Sequence, residues 1–377
     1  MKILLAGPIE TSALEPVLGD IDGLPKGMAP TPVDVLAVEY VRQGHEVSVV
    51  TLDNKIFERV RVVRPGIEVV YLPRRTRARD LALSLFSAEI AALKEEYARI
   101  NPDIIHAHWT YEFAEAALRS GRPTLVTGHD CAWETLWIER DAYRFFRLLM
   151  ALRTTPRIRN LSVVAPYLAP HTRYAGFLRQ IRVVPNGLDL SRWPFRGENL
   201  PTSPPIIATI GNGMPRKNVH AAVSAFRLIQ SRIVEAELHL FGPGLDRYAQ
   251  ERNVFVHGSI PNQELRNFHI QRTTILLHPS LQEICPVTLI EARALGIPVV
   301  AGRYSGGVPY VMGNSEVGLV DVKEPPAIAA TVEKILSDQN LYKRLSLQGR
   351  KDVEDRFDIR QVARQYVETY DELLSPC

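Results

Sequence analysis

Glu283 and Glu291 stand eight positions apart in HPSLQEICPVTLIEARALGIPVVAG, and two carboxylates at that spacing suit a hydroxyl-rich ligand. Each ionised carboxylate accepts several O–H hydrogen bonds. A solvated glutamate beside a helix-capping one fits the same spacing. The octet GNGMPRKN, Gly211–Asn218, offers a second chemistry. Backbone N–H groups at the start of a helix bind phosphate, and Lys217 adds a full positive charge. The third group is His106 and His108 in IIHAH, with His129 in GHD. Alternation along a strand puts His106 and His108 on one face. A histidine there can donate to sugar hydroxyls or to charge developing on a phosphate oxygen; it can equally be a packed side chain satisfied by a backbone bond. No acid–histidine ligand spacing accompanies the three, so a zinc site is not expected.

The octet begins Gly-x-Gly, as a dinucleotide-binding dehydrogenase would. Arg216 stands where the third glycine is needed, Pro215 interrupts the turn, and Phe241 ends the next strand where a ribose-binding acid is wanted. The dehydrogenase reading fails on those residues.

The elements that must hold these groups are legible from periodicity. Lys2–Ala6, Glu46–Thr51, Glu68–Leu72, Ile104–Ala107, Thr124–Thr127 and Leu161–Val164 read as strands. Pro32–Arg42, Asp80–Arg99, Tyr111–Arg119 and Trp133–Leu152 read as helices between them. That alternation predicts a doubly wound parallel sheet. Asn186–Pro205 lacks periodicity and is rich in turn formers, which predicts a linker. The alternation restarts at Pro205–Ile210 and runs to about Val320, with Ile275–Leu277 as a buried strand broken by Pro279. Pro286 suits a helix start, and Gly296 with Pro298 stops that helix, so Glu283 falls in the strand–helix loop and Glu291 in the helix. Both then lie at the carboxyl edge of the sheet, where open α/β folds bind ligands. Three helices close the chain, near Pro326–Ser337, Leu341–Arg356 and Ile359–Leu374.

At 377 residues two domains are expected, and 46% hydrophobic with 23% charged residues is ordinary for a globular protein. The apolar part of MKILLAG is too short for a signal peptide and reads as a first strand. Cys131, Cys285 and Cys377 form no CxxC pair, which argues against a disulfide framework and for a reducing cytosol. The net charge of +3 conceals an asymmetry: Ala142 to Leu188 holds eight arginines and no acid. Such a field suits phosphate groups, an anionic lipid surface or an acidic glycan. An arginine-rich solvated face in a chain with nine lysines against 36 arginines is the other reading. Arg140, Arg144 and Arg147 recur at helical spacing, so they are expected on one face of either a membrane-surface helix or an ordinary layer helix.

The Glu283–Glu291 stretch resembles the Glu-x7-Glu signature of the retaining glycosyltransferases of family 4. The likeness extends to IRVVPNGLDLSRW (Ile181–Trp193), IATIGNGMPRKNVHAAVSAF (Ile207–Phe226), LHLFGPG (Leu238–Gly244), VFVHGSIPNQEL (Val254–Leu265) and NPDIIHAHWTYEFAEAAL (Asn101–Leu118), in the family's order. It implies an α/β GT-B fold: two doubly wound Rossmann-like domains facing a cleft, with the last helix crossing back to the first. The expected division is 1–185 plus 358–374 on the acceptor side, a 186–205 linker, and 206–357 for a nucleotide diphospho-sugar.

The resemblance also implies roles. Glu291 would accept from the ribose hydroxyls and Glu283 would orient the donor sugar. Lys217 matches the family's pyrophosphate-binding lysine. The partner arginine's position holds Asn212 instead, with Arg216 as the candidate to compensate. Backbone amides near Thr288 and Gly306–Gly307 would help hold the diphosphate, although the loop after Glu283 is Ile-Cys-Pro rather than glycine-rich. His108 matches the histidine that contacts the donor sugar, with His129 as second choice. Gly23 and Gly27, in a loop also punctuated by Pro25 and Pro30, match the glycine-rich loop under the phosphates and beside the acceptor. Asp20-Ile21-Asp22 looks like the metal-holding tripeptide of other glycosyltransferases, but the rest of the chain matches a metal-free architecture, so neither metal nor cofactor is expected. The expected partners are the nucleotide-sugar, a glycan, lipid-linked or small-molecule acceptor, and an anionic membrane touched peripherally from the cytoplasm; no nucleic acid is expected. A nucleotide-sugar epimerase and a non-catalytic binding subunit of the same architecture are the rival readings.

Overall fold

The computed structural model describes residues 1–29, 31–198, 204–313 and 317–375. Pro30, Cys377 and part of the expected linker lie outside them. The chain divides into two compact units, Met1–Leu188 with Ile359–Cys377, and Asp189–Asp358.

The first unit is built on an eight-stranded sheet. Its spatial order is Val60–Arg64, Ile67–Pro73, Glu46–Asp53, Lys2–Ala6, Ile104–His108, Thr124–Gly128, Leu161–Val163, Ile181–Val183. Neighbours pair in parallel, except that Val60–Arg64 runs antiparallel to Ile67–Pro73. The central strands are buried except for Lys2 at the start of the first, as a sheet covered on both faces requires. Pro32–Arg42 is a helix with a reciprocal cap: the Thr31 hydroxyl accepts from Val33 and Asp34 accepts from the Thr31 N–H. The closing helix Ile359–Leu374 belongs to this unit, and its Ile359, Val362, Ala363, Tyr366 and Tyr370 enter the same core as Ile3, Leu5 and Val49.

The second unit has a six-stranded parallel sheet in the order Val254–Gly258, Glu237–Phe241, Ile206–Ile210, Ile275–His278, Val299–Gly302, Leu319–Val320. Helices Val219–Gln230 and Pro325–Ser337 contribute Val223, Phe226, Ile229, Ile328 and Val332 to its core. Val287–Ala294 is the helix expected after Pro286, and Gly296 ends it at φ +79°, with Phe195 and Ser346 packed where a Cβ would stand. Both units are therefore Rossmann-like.

Two expected helices are each broken. Asp80–Arg99 is Ala78–Leu83 and Ser87–Ile100, separated by Leu85 and Phe86 at positive φ. That turn puts Phe86 wholly inside, beneath the Arg74 and Arg147 guanidiniums. Trp133–Leu152 is Ala132–Glu139 and Ala142–Thr154, broken at Arg140, whose φ is +52°. Asp141 starts the second piece by accepting from the Arg144 N–H at 2.8 Å.

Candidate functional site

Strand order locates the ligand edge of each unit. In the second, the chain leaves Ile206–Ile210 toward one side of the sheet and returns beside it as Ile275–His278. A switch point of this kind opens a crevice beyond the strands' carboxyl ends. Gly211–Asn218 follows one of these strands and Pro279–Glu283 the other. Gly213 packs on a second glycine loop, where a Cβ would meet the Gly244 carbonyl at 2.8 Å, and Gly211 lies against the following helix, where a Cβ would meet Val219 at 2.9 Å. Asn212 spends its side-chain oxygen on the Met214 N–H, a turn contact. Asn218 sits at φ +48° and ties the Pro279 and Val322 carbonyls together.

Lys217 and Glu283 meet across these loops, with Lys217 Nζ 2.6 Å from Glu283 Oε1. Arg216 reaches the other oxygen at 3.3 Å and donates to the Gln282 carbonyl. Desolvation opposes ionisation of Glu283, but Lys217, His278 and Arg216 overcome it and hold its pKa at about 2. Glu283 is thus a carboxylate at neutral pH. Burial lowers the pKa of His278 to about 4, so that ring is neutral there. Two polar atoms at this edge are buried without a hydrogen-bond partner among the described residues: His278 Nε2 and Ser280 Oγ. Sequence reasoning passed over both, although polar residues directly after the apolar run of a buried strand were the available signal.

Glu291 lies half-buried in the helix after this loop, and Thr288 is half-buried one turn before it. Desolvation raises the Glu291 pKa to about 7, with Arg266 acting in the opposite sense. Gly306, at φ +65°, forms an isolated bridge with Glu283. The Gly307 N–H is already committed to the Glu283 carbonyl at 2.8 Å, so this amide braces the loop and is not a free phosphate donor.

In the first unit the switch falls between Lys2–Ala6 and Ile104–His108, and the histidines gather there. His106 is satisfied on both nitrogens, by Thr127 Oγ1 at 2.6 Å and the Tyr370 hydroxyl at 2.6 Å. It belongs to the framework. His108 Nδ1 meets His129 Nε2 at 2.8 Å, while His108 Nε2 is buried with no partner among the described residues. Burial holds the pKa of His106 and His129 at about 3 and pushes His108 well below its usual range, so all three are neutral at pH 7. Trp109, at φ +65°, lies against His129 with the rings tilted by 31° and their centres 4.4 Å apart. Strain in a non-glycine residue beside an unpartnered polar atom is the pattern functional sites show.

The loop glycines differ. Gly27 is buried and bridged to Glu10, and a Cβ there would stand 2.2 Å from the Ile9 carbonyl. Gly23, at φ +76°, is an open turn with nothing near a Cβ. Asp20 and Asp22 are exposed, and Asp20 accepts from the Asp22 N–H at 3.0 Å.

The three-arginine face is not formed. The break at Arg140 separates it from the helix that carries Arg144 and Arg147. Arg144 pairs with Glu139 at 2.6 Å. Arg147 pairs with Glu112 and lies 3.5 Å over the Tyr111 ring. Of the eight arginines in the acid-free segment, Arg157 and Arg182 also have partners, Glu115 and Glu372. Arg153, Arg159, Arg173 and Arg179 have none among the described residues and are exposed. One group escaped the sequence reading: Cys131, Glu134 and His171 bring ligand atoms within 4.8 Å of one another.

Residues 32–192 match the family described as Glycosyltransferase Family 4, and residues 192–352 match Glycosyl transferases group 1. The two matches adjoin and run through both units. The chain belongs to the family 4 glycosyltransferases. The chain is 22% identical to the phosphatidylinositol N-acetylglucosaminyltransferase gpi3 subunit of Schizosaccharomyces pombe, over 90% of this chain and 76% of that protein. It is 25% identical to a GDP-mannose-dependent phosphatidylinositol monomannoside mannosyltransferase of Mycolicibacterium smegmatis, over 62% of this chain and 66% of that one. The match to a glycogen synthase of Mycobacterium tuberculosis, 26% identical, covers 51% of this chain and spans only 49% of that protein. Among solved structures, a sucrose-phosphate synthase from Thermosynechococcus elongatus superposes with a TM-score of 0.78, at 21% identity and 98% coverage of each chain. Anabaena HepE with UDP and glucose follows at 0.68 and 16%, covering 98% of this chain and 99% of that one. The fold of this glycosyltransferase is GT-B. No helix among its described residues is long and apolar enough to cross a membrane.

Proposed function

We propose that this glycosyltransferase transfers a hexose, with retention, from a nucleotide diphospho-sugar to a glycan, lipid-linked or small-molecule acceptor, without a metal ion. The observation that carries the reading is the Lys217–Glu283–Arg216 cluster at the switch point of the second unit. A diphosphate entering there competes with Glu283 for the two cations, and charge-assisted bonds to phosphate oxygens are the strong ones. As the bond to the sugar breaks, negative charge grows on the departing phosphate oxygen, and Lys217 and Arg216 stabilise it where it develops. Glu283, relieved of part of its pairing, accepts from donor-sugar hydroxyls. Glu291 accepts from the ribose, and Thr288 adds a hydroxyl contact. In the first unit, His108 donates from its unpartnered Nε2, held in that tautomer by His129. The two cations carry the diphosphate charge, and Asp20 and Asp22 take no part.

The first test is a panel of nucleotide-sugars ranked by thermal shift, since a ligand that binds only the folded state raises its stability by mass action. A flat panel sinks the donor assignment. Transfer should then persist in excess EDTA; loss with EDTA and recovery with manganese would reassign the charge to a metal.

A further inference from the structure

Cys131, Glu134 and His171 take no part in the transfer reading, yet the fold of the first unit gathers them. Strands Thr124–Gly128 and Leu161–Val163 are parallel neighbours, and each runs out at its carboxyl end into a loop and a helix. Such edges are where open α/β sheets take ligands. Cys131 stands at the N-cap of Ala132–Glu139, the helix after the first of these strands, and Glu134 lies in that helix's first turn. Side chains at the N-cap and three residues on meet, as they do in a capping box. His171 comes from Leu168–Tyr174, the helix after the second strand. Chain spacing links only the first two residues; strand pairing brings the third.

The three offer a sulfur, an oxygen and a nitrogen, all within 4.8 Å of one another. His171 Nε2 and Glu134 Oε1 already stand 3.5 Å apart. Zinc bonds of about 2.0–2.3 Å in a tetrahedron space the ligand atoms about 3.3–3.8 Å apart, so closing on an ion takes side-chain shifts of at most about 1 Å. Cys131 is buried, and Glu134 and His171 are half-buried. The Tyr167 hydroxyl donates to Glu134, and its ring lies against His171 with centres 4.9 Å apart. One residue thus orients two of the three, the outer support that metal ligands need. Cys131 and His171 also line a cavity of 490 Å³, which leaves a face open for a fourth ligand.

The donor set selects the ion. Magnesium and calcium prefer oxygen alone, whereas thiolate with imidazole suits zinc. One thiolate and one carboxylate cancel the two charges of the ion, so its burial strands no net charge.

We propose that Cys131, Glu134 and His171 bind a zinc ion that ties the helix Ala132–Glu139 to the helix Leu168–Tyr174. The proposal does not rest on the transfer reading, and it is tested on the untagged chain without nucleotide-sugar. Titration with zinc against a chromophoric chelator should show one equivalent bound, and a large excess of magnesium or calcium should not compete. Zinc should raise the melting temperature by mass action. Cobalt in its place should give a thiolate-to-cobalt charge-transfer band. Cys131→Ser should remove that band, and Cys285→Ser, in the second unit, should keep it. Tyr167→Phe should weaken zinc by about tenfold or more, and Glu134→Gln and His171→Ala should each weaken it further. The last two replace half-buried side chains, so their metal-free melting temperatures should match the wild type and keep the test open if Cys131→Ser folds poorly. Absence of zinc binding by the wild type overturns the proposal. So does a charge-transfer band that survives Cys131→Ser, or zinc affinity unchanged in both Glu134→Gln and His171→Ala, which would leave the three as a hydrogen-bonded contact between helices.

Discussion

Lys217 Nζ and Glu283 Oε1 lie 2.6 Å apart although 66 residues separate them, and each answers the other's charge. The pair does two jobs that pull in different directions. It closes one loop against another, and it holds the lysine ready for an incoming diphosphate.

Removing either partner should therefore touch both stability and turnover. Lys217→Ala leaves a desolvated Glu283 with only Arg216 and the His278 ring beside it, so stability should fall on the order of 1.5–3 kcal/mol, the scale of a hydrogen bond to a charged group. Transfer should fall by more than that stability loss explains. Glu283→Gln keeps the shape and removes the repulsion of an incoming phosphate, so donor binding should survive while turnover drops. Thermal melts and single-turnover rates on both variants check this. Wild-type turnover in Lys217→Ala would remove Lys217 from the donor site.

Glu291 should set an acidic limb in the pH profile. Desolvation raises its pKa to about 7, so the carboxyl is largely protonated below that pH and ionised above it. If the carboxylate accepts from the ribose, kcat/KM should rise with pH through about 7. The neutral histidines His106 and His129, titrating near 3, do not supply such a limb. Glu291→Gln should lose about 10- to 150-fold in kcat/KM, equivalent to about 1.5–3 kcal/mol, and flatten the limb. A limb unchanged in Glu291→Gln would assign it elsewhere.

Arg147 is expected to act on stability and not on lipid binding. Its guanidinium pairs with Glu112 and covers Tyr111, 3.5 Å from the ring centre. Arg147→Ala strands a buried carboxylate and should lower stability by about 3 kcal/mol, toward the low end for breaking a buried pair. Arg140→Ala, at the exposed break, should cost under about 0.5 kcal/mol. Chemical denaturation of the two variants separates them; equal losses would contradict the packing described.

Local rules carried much of the fold. Lys2–Ala6, Pro32–Arg42 and Ile359–Leu374 were legible to the residue because period, proline and caps agreed there. What escaped was decided by tertiary packing. Leu85 and Phe86 read as helix, yet burying Phe86 beneath two arginines outweighs the cost of positive φ. Arg140 reads as one step of a helical face, but Asp141 caps a new helix beside it. The Val60–Arg64 hairpin strand is three-fifths exposed or edge-like in pattern, so periodicity gave it little signal. Glu283 and Lys217 were picked from residue type and motif, and the fold of the second unit pairs them; His108, picked from its strand in the first unit, keeps a buried Nε2 without a hydrogen-bond partner among the described residues. Gly307 was assigned to phosphate by position, whereas its N–H serves the Glu283 carbonyl. His278 and Ser280 went unnoticed: their place just after the apolar run Ile275–Leu277 was the signal in the sequence, but it does not tell a satisfied polar group from the partnerless ones that packing reveals among the described residues.

The two histidines of one strand should separate cleanly under mutation. His106 spends both nitrogens inside the unit, one on Thr127 and one on Tyr370 of the closing helix. His106→Leu should take one partner from each hydroxyl, Ser162 and Tyr40 still bonding them, at about 0.5–1.5 kcal/mol for each lost hydrogen bond. The loss should appear as a lower melting temperature, with turnover per folded molecule nearly intact. His108 spends one nitrogen on His129 and keeps Nε2 unpartnered. His108→Asn should therefore leave the protein folded while lowering kcat by about 10²-fold or more, the scale of one lost donor to developing charge. Restored activity in His108→Gln, whose amide can reach further, would strengthen the donor role. If His108→Asn turned over at the wild-type rate, that nitrogen would have no part in transfer, and His129 would become the first-unit residue to test.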